Sequence, residues 1–301
     1  MSDTTDEIVR RLRAAGCVFA EDEAALLVAE AESPGELEAM VDRRVAGLPL
    51  EHLLGWAQFC GLRIAVEPGV FVPRHRTEFL AQQAIALALT PSFGFATGRA
   101  STDGGPADRE SAGRAPAGGG PADRAPAAEG SPLRSPVVVD LCCGAGAIGA
   151  AIIDAVPHAN VFAADIDPAA VHSARLNITN GQVYQGDLFD ALPAALRGSV
   201  EVLVANTPYV PSEAIALMPP EARLYEARVA LDGGFDGLDV QRLVAAAAPL
   251  WLCPGGHLLV ETSDEQAPAT AAIFESCGMP ARIVSSEELF ATVVIGVRPL
   301  A

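Results

Sequence analysis

The end of one apolar strand carries groups that can hold a nitrogen-containing substrate. The run VEVLVA at residues 200–205 is followed by Asn206, Thr207, Pro208 and Tyr209. The side-chain oxygen of Asn206 and the carbonyl oxygen of Thr207 are two acceptors for the two N–H bonds of an amide or an exocyclic amine. Pro208 fixes the bend of the chain, and Tyr209 offers a flat wall to a planar group. We therefore predict these four residues as catalytic, acting mainly by positioning.

A glycine-rich turn lies upstream of this strand. Residues 137–149, VVVDLCCGAGAIG, have the pattern of a strand, a tight turn and a helix. Gly144, Gly146 and Gly149 satisfy the pattern G-x-G-x-x-G, which occurs in both dinucleotide-binding and S-adenosylmethionine-binding proteins. The next apolar segment ends at Asp165, 19 residues after Gly146, where a carboxylate can accept hydrogen bonds from ribose hydroxyls. The loop and the acid together predict a nucleoside-containing cofactor.

The segment at 206–209 distinguishes between the two cofactors. A hydride-transfer enzyme has no use for an Asn-x-Pro-Tyr sequence at this position, whereas an enzyme that methylates nitrogen has one. The lone pair of such a nitrogen is delocalised, so attack on a sulfonium methyl group requires the nitrogen to be aimed along the C–S bond. The sequence therefore predicts S-adenosyl-L-methionine as the cofactor. A turn that only shapes the backbone would be the preferred interpretation if the glycine-rich loop were absent.

These residues require a sheet that brings several strand ends together. From residue 136 onward, apolar strand-like segments alternate with helical ones, which predicts a parallel sheet with crossover helices. Near the carboxyl end, the segments GHLLVET, ARIVS and ATVVIGV predict a terminal antiparallel pair at the sheet edge. The uncharged run at 243–260 predicts a helix, a turn at 254–256 and a strand, and not a membrane span.

The part of the chain before the sheet predicts a small helical unit. Helical periodicity covers residues 3–15, 20–31 and 34–46, and the segment at 55–76 alternates and turns like a β-hairpin. A further helix is expected around 77–90. Residues 98–135 are dominated by Gly, Ala, Pro, Ser, Arg and Asp, which predicts a disordered insertion. We divide the chain into a helical substrate-recognition domain (1–54), a hairpin linker (55–76) and a methyl-transfer domain (77–301) that the insertion interrupts.

Composition restricts the partners. The chain of 301 residues has a formal net charge of −18, and such a surface repels nucleic-acid phosphates and suits a basic partner. The six cysteines show no C-x-x-C pair and no histidine at metal-ligand spacing, so we expect free thiols and no metal site. The amino terminus lacks the apolar segment of a secretory signal. These features predict a cytoplasmic protein with no membrane segment and no direct nucleic-acid binding.

Several motifs together resemble the protein-(glutamine-N5) methyltransferases that modify peptide-chain release factors, the HemK/PrmC-type family. The likeness covers nearly the whole chain outside 98–135. It rests on a hairpin segment that ends in a Pro-Arg-x-x-Thr-Glu motif, at Pro73, Arg74, Thr77 and Glu78. It also rests on DLCCGAG, ADID, GDLF at 186–189, the segment at 206–209, EARLYEARVALDGGFDGLD and GGHLLVETSDEQ.

The resemblance implies a fold, a cofactor and a reaction. The fold is an α/β, Rossmann-like class I methyltransferase with a mostly parallel sheet, a terminal antiparallel strand, an N-terminal helical domain and a β-hairpin linker. The reaction is methyl transfer from S-adenosyl-L-methionine to the side-chain amide of a glutamine in an exposed loop of a release factor. The cofactor-binding residues predicted in this way are Asp140, Cys142, Cys143, Gly144, Ala145, Gly146, Asp165, Ile166, Asp187, Leu188 and Asn206.

Three positions depart from the family pattern. Cys142 stands at the first glycine of the cofactor loop, Thr207 at the first proline of Asn-Pro-Pro-Tyr, and Ala227 at the proline of a Glu-Pro pair. A backbone carbonyl survives the replacement of proline by threonine, so the predicted amide acceptor remains. Open alternatives are methylation of a nucleobase, of a small-molecule amide or of another protein glutamine, and a non-catalytic cofactor-binding protein. The negative charge disfavours the nucleobase.

Overall fold

The amino-terminal part folds into four helices. The computed structural model describes residues 2–90 and 135–300, so the predicted insertion lies outside the described residues except for Ser135. The helices are α1 (Ser2–Ala14), α2 (Ala20–Glu30), α3 (Pro34–Val45) and α4 (Leu50–Leu54). Their apolar sides form a core of their own, which contains Ile8, Leu12, Ala20, Ala24, Leu27, Met40 and Val41. Three of the helices were predicted, and α4 was not, because five residues carry too little periodicity.

A hairpin connects the helical unit to the central sheet. Its strands β1 (Trp56–Phe59) and β2 (Leu62–Ala65) are antiparallel and are joined by Cys60 and Gly61. Both turn residues have positive φ, 48° and 80°, as in the hairpin turns whose twist matches that of paired strands. A 3₁₀ turn at His75–Thr77 then leads into α5 (Glu78–Leu89). The predicted hairpin is therefore present.

Seven strands form the central sheet, in the order β5-β4-β3-β6-β7-β9-β8. The strands are β3 (Val137–Leu141), β4 (Asn160–Asp165), β5 (Gly181–Gln185), β6 (Val200–Ala205), β7 (Leu252–Thr262), β8 (Ala281–Ser286) and β9 (Ala291–Val297). The accompanying helices are α6 (Ala147–Ala155), α7 (Pro168–Asn177), α8 (Pro220–Tyr225), α9 (Asp239–Trp251) and α10 (Ala267–Ser276). Strand β9 runs antiparallel to both its neighbours, and the other pairs are parallel. The predicted α/β sheet with a terminal antiparallel pair is confirmed.

The turn predicted at 254–256 is wrong. Helix α9 passes directly into β7, and the Pro-Gly-Gly sequence lies inside that strand. The pairing of β6 with β7 shifts register between Val200 and Val202, so the extra residues form a bulge. A β-carbon on Gly256 would lie 2.7 Å from the Val200 carbonyl oxygen, which explains a glycine in a strand. In residues 2–90 and 135–300, no helix is long and apolar enough to cross a membrane.

Strands β3 and β6 are neighbours in the sheet although β4 and β5 separate them in sequence. The strand order therefore reverses next to β3, and open parallel sheets leave a crevice at the carboxyl ends of strands at such a point. The predicted cofactor loop follows β3, and the predicted catalytic residues follow β6. Both sets of residues consequently reach the same crevice.

The side chain of Asn177 fastens the hairpin to the cofactor loop. Its oxygen accepts a hydrogen bond from the backbone of Ala65 in β2, at 2.8 Å. Its nitrogen donates to the carbonyl oxygens of Ala65 (2.9 Å) and Ala145 (2.8 Å). One amide at the end of α7 thus holds the hairpin and the loop in a fixed relation.

Candidate active site

One cavity of about 490 Å³ brings most of the predicted site residues together. Those that line it are Cys142, Cys143, Gly144, Ala145, Asp165, Ile166, Asp187, Leu188, Asn206, Thr207, Pro208 and Tyr209. Two predicted residues, Asp140 and Gly146, do not line it. The volume lies within the range of pockets that hold a small molecule or cofactor.

The register of the sheet explains why these residues meet. Leu141, the last residue of β3, pairs with Ala205, the last residue of β6. Cys142 and Asn206 therefore leave the sheet side by side. On the other side of β3, strand β4 continues one residue beyond the partner of Leu141 and ends at Asp165. The loop, the acid and the amide are consequently adjacent.

The cofactor loop is built from left-handed backbone. Gly144 and Gly146 have φ of 54° and 77°, and Cys142 has φ of 54° although it carries a side chain. This conformation costs a residue with a β-carbon roughly 1–2 kcal/mol, which accounts for the glycine that the family pattern has at this position. A β-carbon on Gly146 would lie 3.0 Å from the Cα of Ala174 in α7. Gly146 therefore allows close packing behind the cavity wall.

The two cysteines of the loop are neutral thiols. Burial, followed by the nearby carboxylate of Asp165, raises the pKa of Cys142 far above its ordinary value, although this residue keeps some contact with the cavity. Burial and the carboxylate of Asp140 raise the pKa of Cys143 in the same direction. A thiol is nucleophilic only as thiolate, so these side chains supply walls and no nucleophile.

Asp140 supports the loop from behind. Its side chain is fully buried, and its Oδ2 accepts a hydrogen bond from the backbone of Gly149 in α6 at 2.9 Å. Its Oδ1 has no hydrogen-bond partner among the described residues. Burial raises the pKa of Asp140 to about 7. The residue thus holds the start of α6 in place and lies outside the cavity lining.

Asp165 has the geometry expected of a ribose-binding acid. Its Oδ2 accepts a hydrogen bond from the backbone of Gly144, and its Oδ1 accepts one from the backbone of Asp167, both at 2.9 Å. A carboxylate has about four acceptor sites, so each oxygen keeps capacity for one hydroxyl of a vicinal pair. Burial raises the pKa of this carboxyl. The fixed carboxylate, the close glycine loop and the size of the cavity fit an adenosine-containing cofactor.

The amide of Asn206 is oriented by a residue that was not predicted as part of the site. Its Nδ2 donates to the hydroxyl oxygen of Thr77 at 3.4 Å. Thr77 belongs to the 3₁₀ turn before α5 and also lines the cavity. The bond leaves the Asn206 oxygen as the free acceptor of this side chain. The Thr-Glu part of the upstream motif was the signal that could have identified Thr77.

Tyr209 is held from both ends. A guanidinium nitrogen of Arg76 donates to its phenol oxygen, and the guanidinium carbon lies 5.7 Å from the ring centroid. Its backbone carbonyl accepts a hydrogen bond from Gln266 at 3.1 Å. Burial and the carboxylate of Glu261 raise the pKa of the phenol, so Tyr209 is a neutral wall of the cavity.

Thr207 is almost completely buried. Only 1% of the residue is exposed, and its hydroxyl oxygen has no hydrogen-bond partner among the described residues. An unpartnered buried hydroxyl is unfavourable, whereas the proline of the family pattern would bring no such group. The predicted acceptor at this position is the backbone carbonyl, which the threonine side chain does not change.

Two further residues of the upstream motif lie at or near the site. Arg74 lines the cavity and pairs with the buried carboxylate of Glu226. Glu78 accepts a hydrogen bond at 2.9 Å from the backbone of Cys60 in the hairpin turn. In the sequence this motif is recognised by resemblance alone, without a predicted role in the site. Its partners lie far away along the chain and could not be found from spacing.

The seven-stranded sheet carries a glycine-rich turn after β3, an acid at the end of β4 and an Asn-x-Pro-Tyr-like segment after β6. The fold and the site together define a class I S-adenosylmethionine-dependent methyltransferase. Residues 129–234 match the family described as MTS, methyltransferase small domain. A release factor glutamine methyltransferase from Geobacter sulfurreducens is 32% identical over 253 residues, which cover 82% of this chain and 72% of that protein. The chain belongs to the release factor glutamine methyltransferase family, which confirms the resemblance found in the sequence, and its cofactor is S-adenosyl-L-methionine.

Two other similar proteins have different names. The 4-amino-L-phenylalanine/4-methylamino-L-phenylalanine methyltransferase from Streptomyces pristinaespiralis is 30% identical over 296 residues, which cover 92% of this chain and 88% of that protein. Among solved structures, a methyltransferase from Pyrococcus furiosus aligns with a TM-score of 0.43 and 17% identity, over 56% of this chain and 77% of that chain.

Proposed function

We propose that this protein methylates the side-chain amide nitrogen of a glutamine in a peptide-chain release factor, in the cytoplasm. The observation that carries the proposal is the register of β3 and β6, which places Asn206 beside the cofactor loop in one cavity. Relatives named release factor glutamine methyltransferase support the choice of substrate. This reaction needs both the oxygen atoms that accept the N–H bonds of the substrate and the loop that binds the cofactor.

The residues of the cavity act by orientation in this proposal. Oδ1 of Asn206 and the carbonyl oxygen of Thr207 accept the two N–H bonds of the substrate amide, and the ring of Tyr209 packs against its plane. Gly144 and Asp165 hold the cofactor. S-adenosyl-L-methionine, when bound, would supply a methyl group on a sulfonium, and the amide nitrogen that takes the methyl group would release one proton to solvent. Correct placement of reacting groups is worth on the order of 10²-fold or more in rate.

A second cavity supports a basic protein partner. It has a volume of about 360 Å³ and lies between the helical unit and the catalytic domain. Its charged lining residues are Asp22, Glu23, Glu51, Glu221, Glu226, Arg44 and Arg74. Arg44 pairs with Glu23 and Glu221, at 2.6 Å each, and Arg74 pairs with Glu226, so both arginines are neutralised. The remaining charge is negative, and a basic segment near the target glutamine would complement it.

Methylation of a small aromatic amine is a second candidate function. The observation that favours it is the extent of the match to the amino-phenylalanine methyltransferase, which covers 92% of this chain. An aromatic amine also has a delocalised lone pair and two N–H bonds, so the same pair of acceptors can orient it. The second cavity, with its negative charge, has no role in this alternative.

Methyl transfer from labelled cofactor tests both candidates directly. The acceptors are purified release factors, total cell protein, RNA and 4-amino-L-phenylalanine. We expect label in a release factor, at a glutamine located by peptide mass spectrometry. Label confined to the amino acid would establish the second candidate, and label confined to RNA would contradict both.

Variants of Asn206 test the role of the acceptor. Asn206→Ala should lower the single-turnover rate by on the order of 10²-fold or more, because it removes an acceptor at the reacting nitrogen. Cofactor affinity, measured by calorimetry, should change little. Asn206→Asp should bind cofactor well and turn over slowly, because its charge favours the ground state of the sulfonium. Near-normal turnover in Asn206→Ala would contradict the assignment.

A further inference from the structure

A chain of polar side chains runs behind the catalytic segment from Asn206 to a buried glutamate. Ala205 pairs with Val260 of β7, so Asn206 and Glu261 occupy neighbouring positions at the ends of two paired strands. Glu261 is only 2% exposed. Its Oε1 lies 3.3 Å from Nε of Arg76, and its Oε2 is buried without a hydrogen-bond partner among the described residues. This carboxylate therefore has an acceptor site to fill.

Thr77 lies between the glutamate and the amide. Its hydroxyl oxygen accepts the hydrogen bond from Asn206 Nδ2, and the same hydroxyl lowers the pKa of the neighbouring Glu261. Thr77 is 4% exposed, so water does not compete freely for the hydroxyl. An ionised carboxylate can only accept hydrogen bonds, and a hydroxyl has one proton to give. Because the Thr77 oxygen already accepts from the amide, its proton is left for the unpartnered carboxylate oxygen of Glu261.

This polarity decides which way the Asn206 amide is turned. A hydroxyl that presents lone pairs selects the NH₂ end of the amide, so the oxygen end is left for the cavity. We propose that Glu261 is a positioning residue, which fixes the proton of Thr77 and thereby keeps Oδ1 of Asn206 directed at the substrate amide. The inference deepens the proposed function, on which it rests for the role of the Asn206 oxygen.

A second arm connects the same glutamate to Tyr209. Arg76 contacts Glu261 through Nε, and another of its guanidinium nitrogens donates to the phenol oxygen of Tyr209. In this proposal Glu261 orients the acceptor through Thr77 and the flat wall through Arg76. One buried charge sets the geometry of two of the four predicted catalytic residues.

Protonation of Glu261 would reverse the direction of the hydrogen bonds that run through Thr77 to Asn206. The groups that face it are Arg76 and Thr77 from the 3₁₀ turn before α5 and Tyr209 from the segment after β6. The residue that pairs with Glu261 in the neighbouring strand β9 is Val293, which does not titrate. Burial raises the pKa of Glu261, and Thr77 and Arg76 only partly oppose this. A protonated Glu261 can donate to Thr77, whose proton is then free to select the oxygen end of the amide.

The closing experiment combines NMR of the cofactor-free protein with kinetics. The side-chain NH₂ resonance of Asn206 is assigned by its loss in Asn206→Ala and then followed as a function of pH. We expect one pH step in the wild type and none in Glu261→Gln. A wild-type resonance without a step, or a step retained in Glu261→Gln, would overturn the inference. This measurement does not depend on the substrate, so it is separate from any failure of the proposed function.

The kinetic arm uses conservative variants. Glu261→Gln and Thr77→Val should each lower kcat by about 10²-fold, with little change in cofactor Kd or melting temperature. The double variant should be no slower than Thr77→Val, because both changes break one chain of contacts. Thr77→Ser should restore turnover, and the exposed Glu275→Gln on α10 is the matched control. A wild-type kcat in Glu261→Gln, or losses that add in the double variant, would overturn the inference.

Discussion

Arg74 and Glu226 form an ion pair across 152 positions of the chain. One guanidinium nitrogen of Arg74 lies 2.6 Å and 2.7 Å from the two carboxylate oxygens. Glu226 also accepts a hydrogen bond from the backbone of Val72 at 3.1 Å. The pair joins the segment before α5, which carries Arg76 and Thr77, to the segment that follows α8. Two parts of the cavity wall are thereby held together.

Loss of the arginine should destabilise the fold. Arg74→Ala leaves a buried carboxylate without its partner, and we expect the free energy of unfolding to fall by roughly 3 kcal/mol. This is the low end of the range for a buried pair, because the Arg74 side chain is 35% exposed. Urea unfolding measures the change. Arg228→Ala is the control, since its pair with Asp232 is largely exposed on the arginine side and should contribute less than about 1 kcal/mol. Equal effects of the two variants would contradict this assignment.

Asp165→Ala should weaken cofactor binding. The variant removes charge-assisted hydrogen bonds to the ribose and also releases the backbone groups of Gly144 and Asp167. We expect a loss of roughly 1.5–3 kcal/mol in binding free energy, measured by calorimetry. Asp165→Asn keeps one oxygen and should lose less, and the exposed Asp154→Ala on α6 should bind normally. Unchanged affinity in Asp165→Ala would remove this residue from the cofactor site.

Gly146→Ala and Gly198→Ala form a matched pair. Both glycines have nearly the same φ, 77° and 74°. A β-carbon on Gly198 would meet nothing within 4 Å, whereas one on Gly146 would lie 3.0 Å from Ala174 and Ile178. Gly198→Ala should therefore cost about 1–2 kcal/mol of stability for backbone conformation alone. Gly146→Ala should cost about 1–3 kcal/mol more for overpacking, and it should also weaken cofactor binding. Equal unfolding free energies of the two variants would contradict the expected overpacking and show that α7 moves to make room for the added methyl group.

Asp140 should make stability depend on pH. Burial raises its pKa to about 7 in the folded protein, against about 4 in an unfolded chain. The folded state binds the proton of Asp140 more tightly than the unfolded chain does, so the protonated carboxyl stabilises the fold. This contribution is fully present below about pH 4 and is lost as the pH rises through about 7. In Asp140→Asn the loss is absent. The variant should gain up to about 4 kcal/mol relative to the wild type between about pH 4 and pH 8. Urea unfolding at several pH values measures this, and parallel pH profiles would contradict it.

Local sequence patterns predicted the elements well. The alternation after residue 136 predicted the sheet, and Ser33 before Pro34 predicted the start of α3, where the Ser33 side chain accepts a hydrogen bond from Glu36 at 3.2 Å. These features depend on neighbours within one turn or one strand. The turn predicted at 254–256 failed because Pro-Gly-Gly suits both a turn and a bulge. The pairing of β7 with β6 decides between the two, and no local signal reports that pairing.

The candidate site was predicted in part. The strand ends at Asp165 and Asn206 could be expected to meet, since carboxyl ends of parallel strands share one edge of a sheet. The partnership of Thr77 with Asn206 spans 129 positions and depends on how a 3₁₀ turn packs over β6 and β7. Such a contact follows from tertiary packing alone. The resemblance identified the motif that contains Thr77 without its partner.

The contacts of Asn177 bear on how this protein can be produced. Asn177 begins the sequence Asn-Ile-Thr, which satisfies the acceptor pattern for N-linked glycosylation. The nitrogen that would carry the sugar is the one that donates to Ala65 and Ala145. A glycan added during secretion from a eukaryotic host would therefore occupy the junction of hairpin and cofactor loop before it could close. Bacterial or cytosolic expression leaves this amide unmodified.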